Sequence, residues 1–279
     1  MKRLLTILFI LVFLPNSCFA FQCAENKDIK AVKRVLNSQV KYANKMNFDK
    51  FIKTYDSAYI NSDGFNLDIY SCLIKDAWKA FDNIKYFIDI KNIEIKDDDA
   101  KVEVLETSFA EINTSKAYKG ELKSQASTVY YLKKINGTWK VVSDSVLDET
   151  TTMLYGLAKD LEIELVVPNN IKPNEEYCAL LSFNPPKNVL AVASIANDII
   201  EYPQKPTEEV FRAMPDDNIL ERLFTSNNKN ANEYIVASIG LTETSVCNLD
   251  IRFSLVGFGY KIKRVNIVQD NGVSDVKNK

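Results

Sequence analysis

The sequence predicts an α+β protein in two parts: three amphipathic helices on a curved antiparallel sheet, then a mainly-β, sandwich-like half. Three observations carry this reading. Apolar residues recur at helical spacing from Ile29 to Phe81. The period changes from 3.6 to 2 at Ile84, and beyond Gly156 short alternating runs are separated by breaks rich in Pro and Asn. The segments that follow are a leader at 1–20, a first domain at 21–156, a second at 157–268 and a tail at 269–279 that lacks periodicity.

The leader reads as an export signal. Lys2 and Arg3 precede an 11-residue apolar run, Leu4 to Leu14, and Cys18-Phe19-Ala20 places cleavage between Ala20 and Phe21. A membrane-spanning helix needs about 20 apolar residues, and this run stops at Pro15, so no stable membrane span is expected after cleavage. Pro15-Asn16-Ser17 are poor neighbours for a lipid-modified Cys18. The expected compartment is the bacterial periplasm or cell envelope, or the medium. Losing Lys2 and Arg3 takes 35 basic residues to 33 against 37 acidic, a net charge of −4. No nucleic-acid partner is expected, because the compact basic run Lys261-Ile262-Lys263-Arg264 alternates with an apolar residue and reads as a strand's solvated face.

Element by element, Ile29, Val32, Val35, Leu36, Val40 and Ala43 share the face of a first helix, with Asn26 and Asp28 as caps. Phe48, Phe51, Ile52, Tyr55 and Tyr59 predict a second helix, closed by the turn Asn61-Ser62-Asp63-Gly64. Leu67, Tyr70, Ile74, Ala77, Trp78 and Phe81 predict a third. Ile84 to Ile90 alternate, and a slip of phase before Ile93 predicts a β-bulge. Asp97-Asp98-Asp99 turns the chain into strands at 101–112, 122–135 and 138–146, the last two joined by the hairpin signal Asn136-Gly137. Beyond Gly156, strands are expected at 161–167, 176–183, 188–195, 233–241 and 250–268, a sandwich of about seven strands. One or two helical turns are expected between Pro206 and Asn227.

The stretch from Asp28 to Gly156 resembles an NTF2-like domain. The resemblance is carried by Asn47-Phe48-Asp49-Lys50-Phe51, Tyr55, Asn61-Ser62-Asp63-Gly64, Trp78, and Tyr130-Tyr131-Leu132-Lys133-Lys134 running through Gly137 into Trp139-Lys140-Val141-Val142. It implies a cone-shaped fold with an internal pocket, and dimerisation through the sheet is common in such domains. It also implies that the base aspartate of the isomerases in that family corresponds to Asp63, while their first-helix oxyanion tyrosine corresponds to Gln39. No family is recognised for the second half.

The chain contains no histidine, which removes Ser-His and Cys-His pairs, histidine bases and histidine metal ligands together. With 8 glycines and no complete G-x-G-x-x-G at Gly257-Phe258-Gly259, phosphate loops have no support. Ser226-Asn227-Asn228-Lys229 lacks the companion motifs of penicillin-binding enzymes. The segment starting at Tyr59 lacks the terminal carboxylates of a calcium loop, and no metal or cofactor is expected. After cleavage four cysteines remain, Cys23, Cys72, Cys178 and Cys247; an even number in an exported chain suggests two disulfides, one in each half. Asp63 is the weak catalytic candidate, either a raised-pKa base or an ordinary turn residue. Tyr55, Tyr59, Tyr70, Trp78, Tyr86 and Tyr130 are candidate pocket residues, or core. The resulting expectation is a non-catalytic binding protein for an unknown protein or small apolar ligand, the alternative being an isomerase- or dehydratase-type enzyme that uses Asp63.

Overall fold

A computed structural model describes residues 27–112, 119–247 and 250–268, the Cys247 side chain excepted. The expected leader, Cys23 and the tail lie outside the described residues. The first half contains helices α1 (Lys27–Ala43), α2 (Phe48–Ile52) and α3 (Leu67–Ala80), then strands β1 (Lys85–Lys96), β2 (Asp99–Ile112), β3 (Gly120–Ile135) and β4 (Thr138–Gly156). A 3₁₀ turn at Leu157–Asp160 leads into β5 (Glu164–Val166), β6 (Asn170–Ile171), β7 (Glu176–Ser182) and β8 (Val189–Ile199). The chain ends in β9 (Arg212–Ala213), β10 (Ile219–Thr225), β11 (Glu233–Cys247) and β12 (Asp250–Ile267).

Asn47 and Asn66 cap α2 and α3 by accepting the N–H of Lys50 and Ile69. The expected bulge falls between Ile90 and Asn92 of β1. Asn136 and Gly137 both adopt positive φ, 51° and 77°, as the two-residue hairpin between β3 and β4 requires.

Three expectations are corrected. The second helix stops at Ile52, because the segment after it is captured by the bare edge of β4: Val141 N–H donates to Thr54, while Asp56, Ile60 and Ser62 donate to Val141, Val142 and Asp144. Backbone groups along an unpaired strand edge need partners, and here that need outweighs helical spacing. The helical turns expected between Pro206 and Asn227 are absent; β10 pairs with β7, and Leu220 and Phe224 face inward from it. Two strands were expected to end early: β4 runs to Gly156 and β11 to Cys247.

The strand order is β1-β2-β3-β4-β12-β11-β8-β9, with β6 parallel to β12, so one open sheet runs through both halves. β12 joins β4 over Gly257–Lys263 against Thr150–Gly156. The crossing is tight: a Cβ on Gly257 would lie 2.7 Å from the backbone nitrogen of Ala158. Tyr155 stacks on Phe258 beside it, with ring centres 4.2 Å apart.

Two cores occupy opposite faces of this sheet. The helices pack on one face of β1–β4, burying Val32, Leu36, Phe51, Val102, Leu132 and Val141. The small sheet β10-β7-β5 packs on the other face of β8, β11 and β12, burying Leu165, Leu181, Ile195, Ile235 and Leu241. Neighbouring residues at the end of β4 serve different cores, Tyr155 the first and Leu154 the second, as strand alternation requires.

Candidate functional site

The helix-facing row of β2 is Ala100, Val102, Val104, Glu106, Ser108, Ala110 and Ile112, an apolar period-2 series interrupted by one carboxyl. Glu106 is held from the next strand: Tyr130 Oη donates to its Oε1 and Thr128 Oγ1 to its Oε2, both at 2.8 Å. Burial pushes this carboxyl up from its ordinary value, against the two hydrogen bonds. Over it lies a cavity of about 100 Å³ lined by α1, α3, β1, Glu106 and Tyr130. Gln39 of α1 is 5% exposed and lines this space, and its Nε2 has no hydrogen-bond partner.

Of the six aromatic residues singled out in the sequence, Tyr55, Tyr70, Trp78, Tyr86 and Tyr130 line the cavity. Tyr59 stands behind them, its ring 5.0 Å from Tyr55 and 5.3 Å from Tyr70. The Tyr55 and Tyr70 hydroxyls are 3.0 Å apart. Tyr59 donates to Asp144 Oδ2 at 2.5 Å. Burial raises all four phenols Tyr55, Tyr59, Tyr70 and Tyr130. It also lifts Asp144 to about 6, against the hydrogen bond from Tyr59. These groups are therefore neutral hydrogen-bonding surfaces at neutral pH, apart from the carboxyls.

Asp63 does not belong to this cavity's lining. Its backbone makes the expected turn: Asn61 Oδ1 accepts the N–H of Asp63 and Phe65, and Gly64 takes φ 82°. Its side chain is nevertheless buried, 6% exposed, and forms a two-pronged pair with Arg264, Nη1–Oδ2 3.1 Å and Nη2–Oδ1 2.5 Å. Asn232 adds a third donor at 2.7 Å. Both carboxylate oxygens are thus taken by donors, and neither is presented to a substrate proton. Arg264 is itself 2% exposed and also donates to Asn266, so the solvated-face reading of that basic run is corrected at this residue. Alternation along β12 sends it inward toward a partner 201 residues away in sequence.

The disulfide expectation is also corrected for the described thiols: Cys72 and Cys178 are free. On β7, Tyr177, Ala179 and Leu181 face the core, so Cys178 points outward, where it donates to Glu221 at 3.0 Å. It faces away from the sheet that carries Cys247. Cys72 sits exposed on α3, and its expected partner Cys23 lies outside the described residues. Among the described residues, no group of three or more His, Cys, Asp or Glu side chains is placed to hold a metal ion. No described helix is long and apolar enough to cross a membrane.

Chain-wide comparison gives partial likenesses. A Streptomyces avermitilis protein described as a dehydratase of the NTF2-like family superposes on 43% of this chain and 96% of its own, at 12% identity and TM-score 0.35. A type 2 hexachlorocyclohexane dehydrochlorinase, LinA, covers 43% and 83% at 9% identity and TM-score 0.37. Bd1075 of Bdellovibrio bacteriovorus shares 16% identity at TM-score 0.36, and this chain spans 39% of its length. The likenesses cover about 42% of the chain, the Streptomyces avermitilis neighbour being described as NTF2-like, and the C-terminal part has no recognised family. At these scores nothing about activity transfers. No protein-family model matches the chain, and no curated protein does.

Proposed function

We propose that this is an exported, non-catalytic binding protein of the bacterial periplasm or cell envelope, with the tyrosine-lined cavity as its ligand site. The leader sequence supports export. The observation that carries the binding reading is the unpartnered Gln39 amide facing the cavity opposite Glu106. A buried donor without a partner costs about 1–3 kcal/mol, a cost that a bound acceptor removes. About 100 Å³ holds roughly three waters or an organic ligand of about five heavy atoms. The ligand is mostly apolar, with one acceptor for Gln39 and one polar group for Glu106.

Native mass spectrometry of the mature protein tests this. A chain starting at Phe21 that carries a small adduct, lost in Gln39→Leu, supports the reading; an unprocessed chain without adduct contradicts it. A second reading, a pocket enzyme of the isomerase or dehydratase type, is favoured by a different observation, the half-buried Glu106 with its raised pKa beside Tyr130. In that reading the base moves from Asp63 to Glu106, and Glu106→Gln abolishes turnover while leaving ligand binding in place.

A further inference from the structure

The helix layer covers only part of its face of the sheet. Beyond α3 the same face continues across β4, β12, β11 and β8 as a groove of about 600 Å³. Its floor is Tyr234, Val236, Tyr260 and Ile262. One wall is Phe65 and Leu73, from the turn and helix of the first half. The other is the strap of residues 200–211, tied down by Val210 N–H to Ser194 Oγ at 3.0 Å and by Ser238 to Glu209.

The charges in this groove have one sign. Glu149, Asp198, Glu201 and Glu209 line it, with no lysine or arginine among the lining residues. Tyr234 Oη donates to Glu149 Oε2 at 3.0 Å and fixes the carboxyl beside the apolar floor. Burial pushes Glu149 up, and Arg264 draws it back only partly. Arg264 is already engaged by Asp63 and Asn266, and Lys205 pairs with Glu201 from an exposed position. An apolar sheet face with aromatic rings and an incompletely compensated carboxylate complements one ligand chemistry, a positive charge carried on an apolar body.

We propose that this groove binds a small organic cation, an alkyl- or arylammonium, with its charge against Glu149 and its apolar body on the floor formed by β11 and β12. This site is separate from the tyrosine-lined cavity and does not depend on it. The chemistry of the site selects for charge as well as shape, so a neutral molecule of the same outline should bind worse.

The test is calorimetric titration of the full chain with benzyltrimethylammonium and with its neutral carbon isostere, 2,2-dimethyl-1-phenylpropane. The expected result is binding of the cation about tenfold or more tighter than the isostere, about 1.4 kcal/mol, with the preference lost in Glu149→Gln. Val236→Trp, which fills the floor, should remove binding of both. Equal affinity for cation and isostere overturns the proposal, as does an undiminished preference in a folded Glu149→Gln protein. If Glu149→Gln fails to fold, loss of cation binding in folded Val236→Trp supports the site, and retention there overturns it.

Discussion

The two cores solve the same packing problem with different materials. The one under the helices mixes aliphatic residues such as Val32, Leu36 and Val102 with Phe51, Tyr55, Tyr59, Trp78 and Tyr130, admits Gln39, Glu106 and Asp144, and leaves a cavity. The one on the opposite face is aliphatic and rich in alanine at Ala179, Ala191, Ala193 and Ala237, with Tyr177 donating to Glu233 at 2.9 Å as its buried polar pair. Small residues let two sheets approach closely and fill the space between them. Large rings with polar tips hold space open and keep hydrogen-bonding groups in it. Among the described residues, the contrast separates a core packed without a cavity from one that encloses a cavity with polar groups on its wall.

The largest perturbation should come where the two halves are joined. Arg264→Ala leaves Asp63 buried without its charge partner, with Asn232 as its remaining side-chain donor, and should cost about 3–5 kcal/mol in chemical denaturation; replacing both residues with leucine should cost much less. Next is the aliphatic core, where Leu181→Ala should cost about 2–5 kcal/mol with no dependence on pH between 4 and 7.

The aromatic core should respond oppositely. Asp144 titrates at about 6 when folded against 3.8 in the ordinary case, so between those values the native state holds the extra proton. The Asp144 contribution to stability is therefore fully present below about pH 4 and is lost as pH rises through about 6. Asp144→Asn removes that decline, and should raise stability at pH 7 by up to about 3 kcal/mol while matching the parent near pH 4. A parallel pair of pH curves would refute this account of Asp144. The smallest effect is expected from Gln39→Leu, a gain of about 1 kcal/mol in thermal unfolding together with loss of ligand. Stabilisation accompanied by loss of binding is what distinguishes a site-bearing core from a purely structural one.

Local patterns made much of this legible from sequence. The bulge after Ile90, the Asn136-Gly137 hairpin and the faces of α1 and α3 all follow from spacing. What could not be read depends on contacts far apart in the chain. Tyr55 and Tyr59 carry helical spacing but lie beside β4, because only the assembled sheet reveals its bare edge. Arg264 looked like one of a basic trio because its partner sits in a turn near the start of the chain. Glu106 is different: a carboxyl within the series Val102, Val104, Ser108 and Ala110 was visible as an inward-facing acid, and strand alternation alone could have found it.

The position of β12 has a consequence for the order in which the molecule can be made. It is the last strand of the described chain, yet it lies at the middle of the sheet, between β4 and β11, and supplies Arg264 to a turn of the first half. As the chain is synthesised, the edge of β4 from Thr150 onward stays bare and Asp63 stays unmatched until that final strand arrives. Native pairing of such sequence separation is slow to form. The first half should therefore emerge incompletely protected and lock only after the second is present. Chains cut before residue 250 should expose that edge and aggregate through it.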